Sequence, residues 1–113
     1  MAFDPVDGIP LLEFHVARLQ DSAAALGFSF DRHSVRNELQ AATFRLRARS
    51  RVRMLASRAG ALAIEVRDYR TWPEAVMRVA LTPRPVAADD WRLRHKTTER
   101  SIYREALAAG GTY

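Results

Sequence analysis

The chain has 113 residues, of which 48% are apolar and 27% charged, the composition of a folded protein with the length of one domain. It contains no cysteine and three scattered histidines, which excludes disulfides and thiolate metal sites and predicts no metal site. No apolar stretch approaches the ~20 residues of a membrane span, and the first residues lack a signal-peptide pattern, so a cytoplasmic protein is predicted.

The net charge of +5 raises the question of an anionic partner. Much of it lies in arginines that alternate along one stretch of the chain. This pattern predicts a solvated basic face that attracts an anionic substrate. A nucleic-acid-binding module is the alternative, but it is disfavoured because no aromatic stacking platform alternates with these arginines. The residues are Arg45, Arg47, Arg49, Arg51 and Arg53.

The first predicted elements are two turns and a helix. Asp4-Pro5 and Asp7-Gly8 are turn signals in residues 1–8. Pro10 suits the first turn of an amphipathic helix that reaches about Leu26, and Gly27 is placed to end it in the left-handed conformation. The predicted buried stripe consists of Leu12, Val16, Leu19, Ala23 and Leu26.

A second helix is predicted to begin after Asp31, a suitable N-cap, and to end near residues 47–50. Phe30 can pack on Val35 as a hydrophobic staple at its start. Its apolar stripe consists of Val35, Leu39, Ala42 and Leu46.

The apolar period then changes from 3.6 to 2. Two alternating runs, 51–56 and 62–67, are joined by a short segment that contains Gly60, which predicts an antiparallel hairpin. A third strand is predicted over 75–81, then a loop over 82–95 and a last helix over 98–109. The order ααβββα predicts an α+β fold, an antiparallel sheet of about three to four strands with helices packed on it.

Lys96 is the only lysine, against seventeen arginines. Arginine does not lose its proton near neutral pH, whereas a desolvated lysine can act as a nucleophile and form a Schiff base. The predicted helix start at Thr97 or Thr98, with Arg94 and Arg100 nearby, would favour the neutral amine. The alternative is a lysine that survived by chance in an arginine-rich composition.

Arg18 is a candidate phosphate-binding residue. His15 and Ser22 lie three and four residues from it on the same face of the first predicted helix. A bidentate guanidinium with a neighbouring hydroxyl can hold a phosphate. The alternative is an ordinary exposed arginine.

Three segments together resemble the class IV family of pyridoxal-phosphate enzymes. Residues 14–28, FHVARLQDSAAALGF, resemble the family's H-x-x-R-L-x-x-S-A-x-x-L-G-F helix, and residues 51–58, RVRMLASR, resemble its next conserved strand. Residues 94–103, RHKTTERSIY, resemble the family's lysine segment in the form typical of 4-amino-4-deoxychorismate lyase. The resemblance implies the fold of the family's amino-terminal domain.

It also implies roles for single residues. Lys96 matches the lysine that bonds covalently to pyridoxal 5'-phosphate and shuttles the proton at the substrate α-carbon. Arg18 matches the arginine that grips the cofactor phosphate, and Arg58 matches a residue near the substrate. In the lyase, pyruvate is eliminated from 4-amino-4-deoxychorismate to give 4-aminobenzoate for folate synthesis.

The resemblance covers only the amino-terminal half of a two-domain enzyme, so residues 1–113 are expected to form one domain without its carboxy-terminal partner. Met1 would match an internal methionine, and the first strand would be lost. We expect no useful turnover from this chain alone. A second chain carrying the other domain would complete an enzyme, either the lyase or a branched-chain or D-amino-acid aminotransferase. Alternatively, the chain is a non-catalytic remnant that dimerises through exposed apolar surface.

Overall fold

A computed structural model describes residues 1–71, 76, 78–79, 81 and 86–110 of the chain. The chain divides into two compact units, Met1–Thr71 and Trp72–Tyr113, and each is described by itself. The first unit contains three strands and two helices. These are β1 (Ala2–Phe3), α1 (Leu12–Leu26), α2 (Arg32–Thr43), β2 (Ser50–Ala56) and β3 (Leu62–Asp68).

The predicted hairpin is confirmed by β2 and β3. The sheet is antiparallel with the order β1-β2-β3, and its register pairs Val52 with Val66 and Met54 with Ile64. Because side chains alternate along a strand, this register keeps the predicted apolar positions of both strands on one face of the sheet.

A short strand that the sequence did not predict precedes the first helix. Ala2 and Phe3 form β1 and pair with Arg51 and Ser50. The Met1 ammonium donates a hydrogen bond of 2.8 Å to the Val52 carbonyl, which anchors the chain start to β2. A two-residue strand is too short to show a period of 2, so the sequence pattern gave no signal for it.

Helix α1 begins two residues after Pro10, which was predicted to lie in its first turn. Leu11 precedes the helix in the left-handed region, with φ 58°, so the chain turns sharply between Pro10 and the helix. The predicted stop at Gly27 is confirmed. Gly27 has φ 74°, and the Phe28 N–H donates a hydrogen bond of 2.8 Å to the Ala23 carbonyl in a Schellman arrangement.

Helix α2 begins after Asp31, as predicted, but it ends earlier than predicted. Asp31 accepts a 3.0 Å hydrogen bond from the His33 N–H and a second from the Ser34 hydroxyl. The helix ends at Thr43 rather than near residues 47–50. The Leu46 N–H bonds to the Thr43 carbonyl three residues back, so the helical series of hydrogen bonds to the carbonyl four residues back does not continue.

The core of the first unit joins both helices to the sheet. Its members come from β1, α1, α2 and β2, and the predicted stripes of the helices supply most of them. Phe30, the predicted staple residue, packs against this cluster. The buried members are Phe3, Val16, Val35, Leu39 and Val52.

The second unit contains two described helices, α3 (Trp91–Arg94) and α4 (Ser101–Gly110). Helix α3 is a single turn inside the predicted loop 82–95, capped by Asp90, whose side chain accepts the Arg92 N–H at 2.9 Å. Helix α4 begins three residues later than predicted. Of the strand predicted over 75–81, positions 75, 77 and 80 lie outside the described residues, and the described positions 76, 78, 79 and 81 are not in a strand.

Candidate functional site

Arg18 lies on the exposed surface of α1 in the first unit. Within the described residues its guanidinium forms no ion pair or hydrogen bond. His15, one turn earlier, is exposed, and Ser22, one turn later, is buried with 9% of its surface accessible. Arg18 therefore keeps its five N–H donors available for an anion, as its predicted role requires.

Arg58 lies in the turn between β2 and β3, also in the first unit. Its carbonyl accepts a 2.9 Å hydrogen bond from the Ser29 N–H, just after α1. Gly60, with φ 97°, closes the turn, and a Cβ there would lie 3.3 Å from the Ser29 Cβ. The backbone of Arg58 is thus fixed against the end of α1, while its side chain is exposed.

Lys96 lies in the second unit, in a segment between α3 and α4 that we call the Lys96 loop, residues 95–100. Its side chain is exposed, and in the described part of the chain the amine has no hydrogen bond or carboxylate partner. The predicted position at a helix start is wrong, because α4 begins at Ser101, five residues later. The helix dipole, which acts within one turn, therefore does not explain any special reactivity of this amine.

The residues that follow Lys96 cap α4 in an unpredicted way. Thr97 and Thr98 were expected to cap the helix. Instead, the Thr97 hydroxyl accepts the Glu99 N–H at 3.2 Å, and the Glu99 carboxylate accepts the Ser101 N–H at 3.1 Å. Glu99 is the capping side chain because it reaches the first N–H of the helix.

Ion pairs and hydrogen bonds of Arg92 link residues on the two sides of the Lys96 loop. The Arg92 side chain donates to Asp90 at 3.0 and 3.1 Å, and its third nitrogen lies 3.4 Å from Glu99. The Arg92 hydrogen bonds lower the pKa of Asp90, and hydrogen bonds from Ser101, followed by Arg92, lower that of Glu99. Both carboxyl groups are therefore ionised at neutral pH. No pattern in the sequence predicted this network.

The predicted basic face is confirmed as exposed. Two of its arginines pair with carboxylates: Arg49 lies 3.3 Å from Asp4, and Arg53 lies 3.6 Å from Glu65. Arg49 also lies over the Tyr69 ring at 5.7 Å. An open groove of about 170 Å³ adjoins Arg49 but contains none of the predicted site residues.

The residues predicted to bind pyridoxal phosphate fit it in chemistry. The cofactor presents an aldehyde, which needs a primary amine, and a phosphate, which needs a guanidinium or N–H donors. Lys96 and Arg18 supply these groups without an internal anion that would compete, as far as the described residues go. Within the same residues, no group of acidic or histidine side chains is placed to hold a metal, and no helix is long and apolar enough to cross a membrane.

Comparison with known proteins agrees with the fold. The family model for class IV amino-transferases matches residues 7–110, a range that includes Arg18, Arg58 and Lys96. A solved structure described as a putative amino-acid aminotransferase from Mesorhizobium loti is 29% identical, with a TM-score of 0.78. The match covers 97% of this chain and 56% of that one, so the chain spans little more than half of that protein.

Comparison with curated protein sequences gave no significant match. The family model spans nearly the whole chain, and the α+β fold is that of the amino-terminal domain of these enzymes. The chain therefore belongs to the class IV aminotransferase family, whose members generally depend on pyridoxal phosphate.

Proposed function

We propose that this chain supplies the cofactor lysine and the phosphate-binding arginine of a pyridoxal-phosphate enzyme of the aminodeoxychorismate lyase type. The observation that carries the proposal is Lys96. It is the only lysine of the chain, it is exposed, and the residues described around it leave its amine without a partner. It also lies inside the range that the family model matches.

Each residue has a separate task in this proposal. Lys96 would hold pyridoxal phosphate through its amine, and the same amine, once free, would take the proton from the substrate α-carbon. The Arg18 guanidinium binds the cofactor phosphate, with the Ser22 hydroxyl one turn away on the same helix. Arg58 contributes positive charge near the substrate. When bound, pyridoxal phosphate supplies the electron sink that these side chains lack.

The lyase reaction is favoured by the sequence of residues 94–103, which resembles the lysine segment of lyase domains. Elimination of pyruvate from 4-amino-4-deoxychorismate would give 4-aminobenzoate. Transamination of a branched-chain or D-amino acid is the second candidate, because the Mesorhizobium loti protein is described as an amino-acid aminotransferase. A non-catalytic, dimerising remnant is the third.

The remaining half of the site is proposed to come from a carboxy-terminal domain of the kind that completes the enzymes of this family. By resemblance, that domain carries the acid that pairs with the pyridine nitrogen. Large apolar side chains that are exposed in the first unit offer surface for such a partner or for a second copy of this chain. They include Val6, Leu11, Phe14 and Phe44.

The first test is covalent trapping of the cofactor. The protein is incubated with pyridoxal phosphate, reduced with borohydride and digested for mass spectrometry. We expect labelling at Lys96 that approaches one cofactor per chain, and Lys96→Arg should abolish it. Labelling no greater than that of the amino terminus would contradict the proposal.

The role of Arg18 is tested by the same method with pyridoxal, which lacks the phosphate. Wild-type protein should be labelled at lower concentrations of pyridoxal phosphate than of pyridoxal. Arg18→Gln should remove most of that difference, whereas Arg45→Gln, an exposed arginine on the basic face, should retain it. Equal labelling by both aldehydes in the wild type would exclude a phosphate site.

The reaction class is tested by product analysis. The chain alone should release no measurable pyruvate from 4-amino-4-deoxychorismate and should form no glutamate from leucine and 2-oxoglutarate. With a carboxy-terminal domain supplied in trans, pyruvate and 4-aminobenzoate would support the lyase, and glutamate would support transamination. Turnover by this chain alone would overturn the proposed division of the site.

A further inference from the structure

We propose that Arg92 is a positioning residue for Lys96, because its side chain joins the segments on the two sides of the Lys96 loop. The inference rests on the proposed function of Lys96 as the amine that bonds to the cofactor. It assigns to Arg92 a task that is separate from binding the cofactor or the substrate: holding the loop in the conformation that presents the amine.

The first connection runs backwards from Arg92 to Asp90. Nε and Nη2 of the guanidinium lie 3.0 and 3.1 Å from the two carboxylate oxygens, the paired geometry that arginine forms with a carboxylate. Asp90 also accepts the Arg92 backbone N–H at 2.9 Å. These three hydrogen bonds fix the side chain relative to the one turn of α3, so the guanidinium has one defined direction.

The second connection runs forwards, across the loop. Nη1, the remaining guanidinium nitrogen, lies 3.4 Å from the Glu99 carboxylate, seven residues on. Glu99 in turn caps α4 through Ser101, and its own N–H is held by Thr97. The Tyr103 hydroxyl lies 3.4 Å from the Arg92 carbonyl, which is a further link between α3 and α4. Lys96 lies between the two ends that Arg92 connects.

Burial distinguishes Arg92 from its neighbours. Its side chain is 24% exposed and Asp90 is 20% exposed, whereas Arg94 and Arg100 are exposed. In the described part of the chain Arg94 has no carboxylate partner, although it belongs to the same helical turn. Arg94 is therefore a matched control for the loss of one positive charge close to Lys96.

The first measurement is amide hydrogen exchange of the protein without cofactor. Arg92→Gln should speed exchange in peptides covering residues 95–101 several-fold and leave α1 and α2 unchanged, because the loop loses its connection to Asp90. Arg94→Gln should exchange like the wild type. Unchanged exchange of the loop in Arg92→Gln would overturn the inference, whatever the labelling results.

The second measurement is borohydride trapping at Lys96 over a range of pyridoxal phosphate concentrations. Arg92→Gln should need roughly ten times more cofactor for half labelling, and Glu99→Gln should have a similar but smaller effect. The double variant should need no more cofactor for half labelling than Arg92→Gln alone, because both substitutions break the same connection between Arg92 and Glu99. Arg92→Lys should restore part of the loss, since lysine keeps the charge but lacks the planar fork. Tandem mass spectra distinguish a label at position 96 from one at position 92.

The two proposals fail in different ways. If the wild type is not labelled at Lys96 but Arg92→Gln frees the loop, the cofactor role is wrong and Arg92 still sets the loop conformation. If the wild type is labelled and Arg92→Gln is labelled equally well, the cofactor role survives and the positioning role is wrong. Independent, additive losses in the double variant would also contradict a connection through Glu99.

Discussion

Some of the arginine and lysine side chains in the described residues form an ion pair with a carboxylate, and others do not. Arg32, Arg36 and Arg92 each hold one or two carboxylates. Arg18 and Lys96 hold none within the described parts of the two units. A phosphate or an aldehyde can reach a cation only if no internal anion competes for it, a condition that Arg18 and Lys96 meet together with other exposed arginines such as Arg94.

The sequence could single out Lys96 and Arg18, but it could not reveal their surroundings. A single lysine among seventeen arginines is visible in the composition, and the spacing from His15 to Ser22 is visible on a helix. The contact from Arg92 to Glu99 spans a seven-residue interval with an irregular backbone. Because this interval is not one regular helix or strand, no sequence period relates the two side chains, and only the folded loop shows the contact.

The cap of α2 gives a prediction at the scale of one residue. Hydrogen bonds from the Ser34 side chain, and then from the His33 backbone, lower the pKa of Asp31 below its ordinary 3.8. A lowered folded-state pKa means that this carboxylate stabilises the protein above pH 3.8 and that the stabilisation is lost as the pH falls through the lowered value. The thermal midpoint of Asp31→Asn should therefore fall less steeply than that of the wild type below pH 3.8, because asparagine still caps without titrating.

Thermal unfolding followed by circular dichroism from neutral to acid pH checks this. Asp21→Asn is the control, since Asp21 is exposed on α1 and makes no hydrogen bond or ion pair to any described residue. That variant should follow the wild-type curve. Parallel curves for the wild type and Asp31→Asn would show that the cap does not contribute to the acid sensitivity.

At the scale of elements, the long periodic segments were predictable and their ends were not. The stripes of α1 and α2 and the alternation of the β2–β3 hairpin follow from burial on one face. The ends depend on local turns: Leu11 with a positive φ delays the start of α1, and a three-residue hydrogen bond ends α2 at Thr43. The strand β1 depends on pairing with residues about 50 positions away, which a local pattern cannot show.

The two helices of the first unit are joined by an ion cluster that gives an element-scale prediction. Glu13 of α1 accepts hydrogen bonds from Arg32, at 2.8 Å, and from Arg36 of α2. The Arg32 hydrogen bond is the main reason that the pKa of Glu13 is lowered. Because Glu13 is exposed and both arginines are partly exposed, their attraction is screened by salt. Glu13→Gln should lower the urea midpoint at low salt, and the difference from the wild type should shrink as salt is added.

Glu38→Gln is a suitable control, because Glu38 is exposed on α2 and pairs with no described residue. Its urea midpoint should stay close to that of the wild type at each salt concentration. If Glu13→Gln lowered the urea midpoint by the same amount at every salt concentration, packing of the Glu13 side chain, rather than its charge, would connect the helices.

Across the whole molecule, the chain consists of two compact units that differ in how much of the buried core and the sheet they contain. All members of the buried core cluster lie in Met1–Thr71, together with the three-stranded sheet and the two longest described helices. Arg18 and Arg58 belong to this unit, whereas Lys96 and its Arg92 network belong to the other. The sequence predicted one domain from its length and from the family resemblance, and neither of these reveals how contacts divide along the chain.

Because the core is concentrated in the first unit, residues 1–71 should fold without the rest of the chain. Domains of about this size can fold alone when they contain a continuous core. The fragment should show the circular dichroism of a mixed helix and strand protein and a cooperative urea transition. Leu39, 3% exposed in that core, provides the control. Leu39→Ala should cost about 2–5 kcal/mol of the free energy of unfolding in the full chain and should unfold the less stable fragment.

A fragment that is unfolded, or that unfolds without a cooperative transition, would show that the first unit needs contacts from residues 72–113. A folded fragment would have a functional consequence, because it keeps Arg18 and contains no lysine. Pyridoxal phosphate should then protect it against thermal unfolding more than pyridoxal does, while borohydride should trap cofactor only at the amino terminus. Phosphate binding by Arg18 would thereby be measured separately from the amine chemistry of Lys96.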